Sequence, residues 1–130
     1  MQWNCRGLAI RKPELQNFLN NSKICPDVIC VEETFLKPTN NFFLHGYEIT
    51  RKDRVTQQGG GIATLIRSGL KYNNIDITFN KVEAIAIQIH LKQNKITVVN
   101  VYDPPDRLVD MDDYRQLFGI GGRVIVTGRG

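Results

Sequence analysis

Two residues far apart in the chain, Asn4 and Glu33, carry side chains that suit the same chemistry. Each falls at the carboxyl end of a segment that reads as a strand, and those two strands flank a single crossover. In sheets built this way, polar groups collect at the carboxyl ends of strands, where they face a crevice while the strands stay dry. A carboxylate beside an amide at such a place suits a hard, oxygen-preferring cation such as Mg²⁺, which takes one or two carboxylates and keeps several waters. The plainer alternative makes Glu33 a solvated loop acid and Asn4 a turn residue. Pattern alone leaves both open.

The other residues with chemical potential have simpler explanations. Gly59-Gly60-Gly61 lacks the Gly-Lys-Ser/Thr ending of a phosphate-binding loop, so a flexible lead-in to a strand is expected. Asp106, Asp110, Asp112 and Asp113 read as capping and first-turn acids of a helix rather than a metal cluster. His45 in a loop and His90 at a strand end are expected to be structural or exposed. Cys5, Cys25 and Cys30 are odd in number and lack CxxC spacing, which argues against a disulfide framework or a cysteine-bound zinc. Three free thiols are expected, two of them on or beside buried strands.

The elements that must position Asn4 and Glu33 follow from periodicity. Residues 1–4 read as the end of a strand. Arg11 to Asn20 reads as a short amphipathic helix with Ile10, Leu15, Phe18 and Leu19 on one face and Pro13 in its first turn. Val28 to Val31 is an unbroken apolar run, the pattern of a strand buried on both faces. A helix between two strands predicts a parallel pair. Further strands are predicted at Tyr47 to Arg51, Ile62 to Ile66, Tyr72 to Phe79, Val82 to Leu91, Ile96 to Tyr102 and Val124 to Thr127. Ile85, Ile87, Ile89 and Leu91 share one face, Gln93-Asn94 makes a hairpin turn, and Pro104-Pro105 ends the strand before it. Asp110 opens a second helix that runs through Phe118.

With 130 residues, the chain fits one domain or part of one. Its 17 Lys and Arg against 13 Asp and Glu give a net charge of +4, a mild lean toward anionic partners such as nucleic acid. No apolar run approaches the roughly 18–20 residues of a membrane-spanning helix, so no membrane partner is expected. Disordered and collagen-like classes are excluded by the 42% hydrophobic content and the absence of a repeat.

Several blocks together resemble a known family. They are Gln2-Trp3-Asn4-Cys5-Arg6-Gly7-Leu8 and Pro26-Asp27-Val28-Ile29-Cys30-Val31-Glu32-Glu33-Thr34, followed by Gly46-Tyr47, Arg51-Lys52-Asp53-Arg54 and Gly59-Gly60-Gly61-Ile62-Ala63. The last is Val98-Val99-Asn100-Val101-Tyr102 before Pro104-Pro105. In this order they resemble the endonuclease/exonuclease/phosphatase superfamily, and within it the apurinic-type endonuclease domain of non-LTR (LINE-like) retrotransposons. The resemblance implies that Asn4 helps position a metal and the scissile phosphate. It implies that Glu33 is the metal-binding glutamate of a Gln-Glu-Thr motif, with Glu32 where glutamine is usual, and that Tyr102 approaches the phosphate. It further implies Mg²⁺ (or Mn²⁺) as cofactor, DNA as partner, and an intracellular, nuclear site of action for the parent element. Arg51, Lys52 and Arg54 are candidates for sequence-independent contacts to DNA phosphates, with a solvated charged loop as the alternative.

The implied fold is α/β: a DNase-type, four-layer sandwich of two sheets, of which residues 1–130 are expected to supply a truncated first half. That half is expected to be one mixed sheet with two helices, leaving an apolar sheet face uncovered and prone to association. The family continues its last matched strand into Gly-Asp-Phe-Asn, whereas here the strand runs into Gly128-Arg129-Gly130. Arg129 stands where the aspartate belongs, and a guanidinium that stays protonated serves neither as base nor as metal ligand. The expectation is a fragment of a Mg²⁺-dependent DNA-nicking enzyme, inactive or weak alone. The alternatives are a non-catalytic nucleic-acid-binding remnant, a decayed open reading frame, and a superfamily member acting on a phospholipid or inositol phosphate.

Overall fold

The computed structural model describes residues 1–53, 60–77, 83–102, 111–120 and 122–127. The chain begins with β1 (Gln2–Asn4), crosses over through α1 (Leu8–Asn21) and returns as β2 (Val28–Glu32), parallel to β1. β3 (Tyr47–Lys52) and β4 (Ile62–Arg67) follow, both antiparallel to their neighbours, and complete a sheet of order β1-β2-β4-β3. A second sheet of order β5-β6-β7-β8 contains β5 (Tyr72–Ile75), β6 (Glu83–His90), β7 (Lys95–Tyr102) and β8 (Arg123–Thr127). α2 (Met111–Gly119) connects β7 to β8, which run parallel.

The expectation of a single mixed sheet is therefore corrected: the described residues form two four-stranded sheets. The reason lies in strands that are apolar on both faces. Along β2, Ile29 and Val31 pack with Leu8, Leu15 and Leu19 of α1, while Val28 and Cys30 turn the other way. Along β6, Ile85, Ile87 and Ile89 turn toward the first sheet, while Ala84 and Ala86 pack with Leu117 of α2. Each sheet thus has two faces to cover. Stacking them face to face covers one of each, and a helix covers the other, giving the order helix, sheet, sheet, helix. The face expected to lie open is filled by Cys30, Ile62, Ile66, Ile85, Ile87, Ile89 and Val98. Among the described residues of the second sheet, the large apolar side chains left exposed on its strands are Ile125 and Val126 on the edge strand β8.

Smaller corrections concern helix phase and strand ends. α1 starts at Leu8 because Gly7 turns the chain at φ +113°, and this shifts the buried stripe to Leu8, Leu15 and Leu19. Ile10 and Phe18, expected on that stripe, are exposed. Pro13 falls inside the helix rather than in its first turn, and the Ala9 carbonyl it cannot pair with lies on an exposed residue, where water can satisfy it. The extended backbone of Ser22 ends the helix, and its hydroxyl donates to the Phe18 carbonyl at 2.7 Å. Leu91 lies beyond the end of β6, exposed, where its amide donates to the Asn94 carbonyl and closes the hairpin. Phe79, Val82, Pro104-Pro105, Asp106 and Asp110 lie outside the described residues.

A polar stitch crosses the apolar interior. The Asn100 amide of β7 donates to the Ala63 carbonyl at 2.9 Å and, at 3.4 Å, to the Val31 carbonyl and Thr64 Oγ1 of the facing sheet. Fully buried, it fixes how the sheets slide past one another, because apolar packing alone is non-directional.

The layered core makes a direct prediction. Ile87→Ala should lower unfolding stability by about 2–5 kcal/mol, since it leaves a cavity between the sheets. Ile10→Ala should change it by less than about 0.5 kcal/mol. Urea titrations followed by the fluorescence of Trp3, which packs on the α1 core, would measure both.

Candidate active site

Asn4 ends β1 and Glu33 follows β2 by one residue, so the parallel pairing of these strands brings the two together. Asn4 is the register partner of Glu32, and the Cys5 amide donates to the Glu32 carbonyl at 3.1 Å. The loops beyond the strands stay joined. Gly7 and Leu8 amides donate to the carbonyls of Glu33 and Thr34, each at 2.8 Å. These donors belong to the first turn of α1, whose amides have no partner within the helix. The loop after β2 satisfies them.

The same loop is held from its other side. Thr34 and Phe35 amides donate to the carbonyls of Gly61 and Gly60 at 3.1 and 3.0 Å. Gly60 and Gly61 lie at φ +69° and +83°, and a Cβ on Gly61 would come within 2.6 Å of Thr34 Oγ1. Rather than a flexible lead-in, these glycines form a strap that only a residue without a side chain can make. Gly59 lies outside the described residues. The Gly61 amide in turn donates to Glu83 Oε2 at 3.2 Å, and Glu83 is the register partner of Tyr102 at the end of β7. Asn4, Glu33 and the half-buried Tyr102 consequently share one end of the sandwich. Three non-glycine residues of the two loops, Arg6, Glu33 and Phe35, hold left-handed backbone at φ +50° to +56°. Such conformations cost of order 1 kcal/mol or more each and concentrate where a site must be held in one shape.

The basic residues are placed differently from one another. Arg51 donates through Nε to Asp53 at 3.1 Å and through Nη2 to the carbonyls of Asn40 and Lys37 at 2.6 and 3.2 Å. Its guanidinium thus ties β3 to the loop that follows the Glu33 segment, a different task from the phosphate contact expected of it. Lys52 is exposed, with Nζ 3.4 Å from the Ile77 carbonyl. Arg54 and Arg129 lie outside the described residues. Cys5 and Cys30 are buried free thiols and Cys25 an exposed one, as expected. Burial pushes the Cys5 thiol up to about 11, which keeps it protonated and inert.

Glu32, which the motif reading noted as standing where glutamine is usual, is a buried acid at this end. Its carboxyl is fully buried, Gln2 Nε2 donates to Oε1, and Oε2 has no hydrogen-bond partner. Strand alternation carried the signal, because Val28, Cys30 and Glu32 share the face turned to the second sheet. Burial raises its pKa to about 7 against the lowering effect of Gln2. Beside Glu32, the donor set at this end is the Asn4 amide and the Glu33 carboxylate. All are oxygen donors, and a buried carboxylate oxygen without a partner is what a hard cation or its bound water would satisfy. The residues present therefore fit such an ion.

No protein-family model matches the chain. It is 28% identical over 128 residues to the RNA-directed DNA polymerase from mobile element jockey of Drosophila melanogaster, a match covering 97% of this chain and 14% of that protein. Among solved structures, the fold is similar to the endonuclease domain of TRAS1, a telomere-specific non-LTR retrotransposon. That match has a TM-score of 0.70 and 18% identity, and covers 98% of this chain and 57% of that one. The catalytic domain of Xenopus laevis APE2 matches at TM-score 0.66 with 18% identity over 98% of this chain and 56% of that one. The AP endonuclease LMAP from Leishmania major matches at 0.58 with 20% identity, over 78% of this chain and 38% of that one. The fold is thus the two-sheet α/β sandwich that these endonuclease structures also have. The sequence is similar to part of the jockey mobile-element protein, and the fold is similar to the endonuclease domain of the TRAS1 retrotransposon. The chain spans about half the length of the TRAS1 and APE2 domains and a seventh of the jockey protein.

The buried Glu32 sets a pH prediction. Its carboxyl, near 4.5 when unfolded and about 7 when folded, prefers the protonated form in the native state. The associated stability is complete below about pH 4.5 and is lost as pH rises through about 7, a change on the order of 3 kcal/mol. Urea midpoints of the wild type should fall across that window, and Glu32→Gln should flatten the fall. Equal slopes in both proteins would contradict the assignment.

Proposed function

We propose that this chain carries the cation- and phosphate-holding part of a Mg²⁺-dependent (or Mn²⁺-dependent) DNA endonuclease, one that nicks target DNA for a retrotransposon. The observation that carries this reading is the convergence of Asn4, Glu33 and Tyr102 on one strained, hydrogen-bonded end of the sandwich. The likeness to the TRAS1 endonuclease domain supports it. So does the Neisseria enzyme NExo, a similar fold at TM-score 0.62 with 17% identity, seen as a 3' phosphatase bound to a product DNA hairpin.

In this reading Glu33 holds the cation through its carboxylate, and Asn4 orients the scissile phosphate through its amide. The Tyr102 hydroxyl donates to a phosphate oxygen. A bound divalent ion supplies positive charge against the charge that develops on phosphorus-bound oxygens. Lys52 and Arg54 add sequence-independent attraction to the DNA backbone that weakens with salt, and Arg51 shapes the loop of Lys37 and Asn40. Glu33 is committed to the cation in this reading, and the resemblance implies a base aspartate at the position of Arg129, which cannot accept a proton. Full hydrolysis is therefore assigned to a protein that joins these residues to such a base, and this chain alone should nick plasmid DNA weakly or not at all. We place that protein's action in the nucleus, where its DNA lies.

One observation favours a second reading, a non-catalytic DNA-binding unit. Lys52 at the end of β3 is exposed and the chain carries a net charge of +4, which suits a DNA backbone without any cation. The two readings separate in one experiment. Mg²⁺ at about ten times its dissociation constant should stabilise the chain by about 1.4 kcal/mol in a urea titration, and Glu33→Ala should abolish the shift. DNA binding that survives Glu33→Ala without any Mg²⁺ effect would favour the second reading.

A further inference from the structure

Phe35 is held in an unusual way. It has a left-handed backbone at φ +56°, its amide is bonded to the Gly60 carbonyl, and its side chain is 43% exposed. Neither secondary structure nor core packing requires this conformation, since the residue lies outside every element and outside the cluster packed on α1. Its neighbour across the site is as odd. Ile10, on the first turns of α1, is 83% exposed. An ideal Cβ on Gly7 would stand 3.5 Å from Phe35 Cδ2 and 3.9 Å from Ile10 Cδ1. The ring and the isoleucine end methyl therefore flank the bare backbone of Gly7 and form a small apolar shelf. It lies two residues beyond Glu33 and three beyond Asn4.

Apart from Glu33, the charged side chains on the two loops that form the shelf are cationic. Arg6, itself at φ +50° and exposed, stands between Asn4 and Gly7. Lys37 follows on the same loop, exposed. The acid on the adjoining helix turn, Glu14, is paired with Arg11 at 2.7 Å. An exposed aromatic face bordered by cations is the chemistry that takes a nucleic-acid base by stacking while the backbone runs along the charges.

We propose that Phe35, supported by Ile10 over Gly7 and flanked by Arg6, is a stacking shelf for one unpaired DNA base next to the phosphate held at the Asn4–Glu33 end. The inference rests on the reading of that end as a phosphodiester site and adds a preference to it: distorted or unpaired DNA over regular duplex. A fully stacked base hides its face from the shelf, so a regular duplex gains only the phosphate contacts.

The test compares two short duplexes of the same sequence in the presence of EDTA, one fully paired and one with a single bulged fluorescent adenine analogue. The wild-type chain should bind the bulged duplex on the order of tenfold more tightly and quench the analogue. Phe35→Leu, which keeps apolar cover but removes the ring, should bind both duplexes equally and leave the analogue bright. Phe35→Tyr should behave as wild type, since its ring stacks as well. Equal binding of the two duplexes by the wild type, or an unchanged preference in Phe35→Leu, would overturn the shelf. If Mg²⁺ stabilisation through Glu33 is meanwhile intact, the site reading survives that loss. Absence of both DNA binding and Mg²⁺ response overturns the two together.

Discussion

The candidate site depends on a short ladder of backbone hydrogen bonds in which three loops satisfy one another. Amides at the start of α1 donate to carbonyls of the loop after β2, and amides of that loop donate to Gly60 and Gly61 ahead of β4. None of these groups finds a partner within its own helix or strand, so a site end buried without the ladder would strand several polar groups at about 1–3 kcal/mol each. The ladder also holds Arg6, Glu33 and Phe35 in backbone conformations that isolated chains avoid. Positioning of Asn4 and Glu33 is thus a backbone property, and their side chains remain available for a ligand.

The layers behind the ladder supply rigidity. Isoleucines of β4 and β6 fill the space between the sheets, α1 and α2 close the outer faces, and Asn100 fixes the alignment of the sheets through polar contacts. Gly61 joins the ladder to the second sheet through Glu83, so Tyr102 is placed by the same contacts that place Glu33. Glu32 sits behind this end as a buried carboxyl with one oxygen unpartnered. That is costly for folding unless a proton, a water or a cation meets it.

Much of this was legible in the sequence, and the parts that were not have physical causes. The parallel β1–α1–β2 unit was readable because Val28 to Val31 is apolar throughout and a helix precedes it. That Asn4 and Glu33 lie at the same end of the sheet followed from that unit. The division into two sheets was not readable, since Ile85, Ile87 and Ile89 announce a buried face without saying what buries it. The phase of α1 was misjudged because Gly7, not Pro13, sets where the helix begins. The glycines before β4 looked flexible because composition reports conformational freedom and not the close approach of Thr34 that uses it. Arg51 looked available for phosphate because its partners, Asp53 and the carbonyls of Lys37 and Asn40, are set by tertiary structure.

The most direct test of the ladder is amide hydrogen exchange at Gly7, Leu8, Thr34 and Phe35 in the wild type and in Gly61→Ala. If the ladder is one unit, these four amides exchange at a common rate in the wild type and lose protection together in the variant. Amides of β6 and β7 keep theirs, because local opening spares the sheet core. Protection at Gly7 and Leu8 that stays unchanged when Thr34 and Phe35 are released would contradict the account. It would mean that the two loops are held independently, and that the geometry of Asn4 and Glu33 does not depend on the glycine strap.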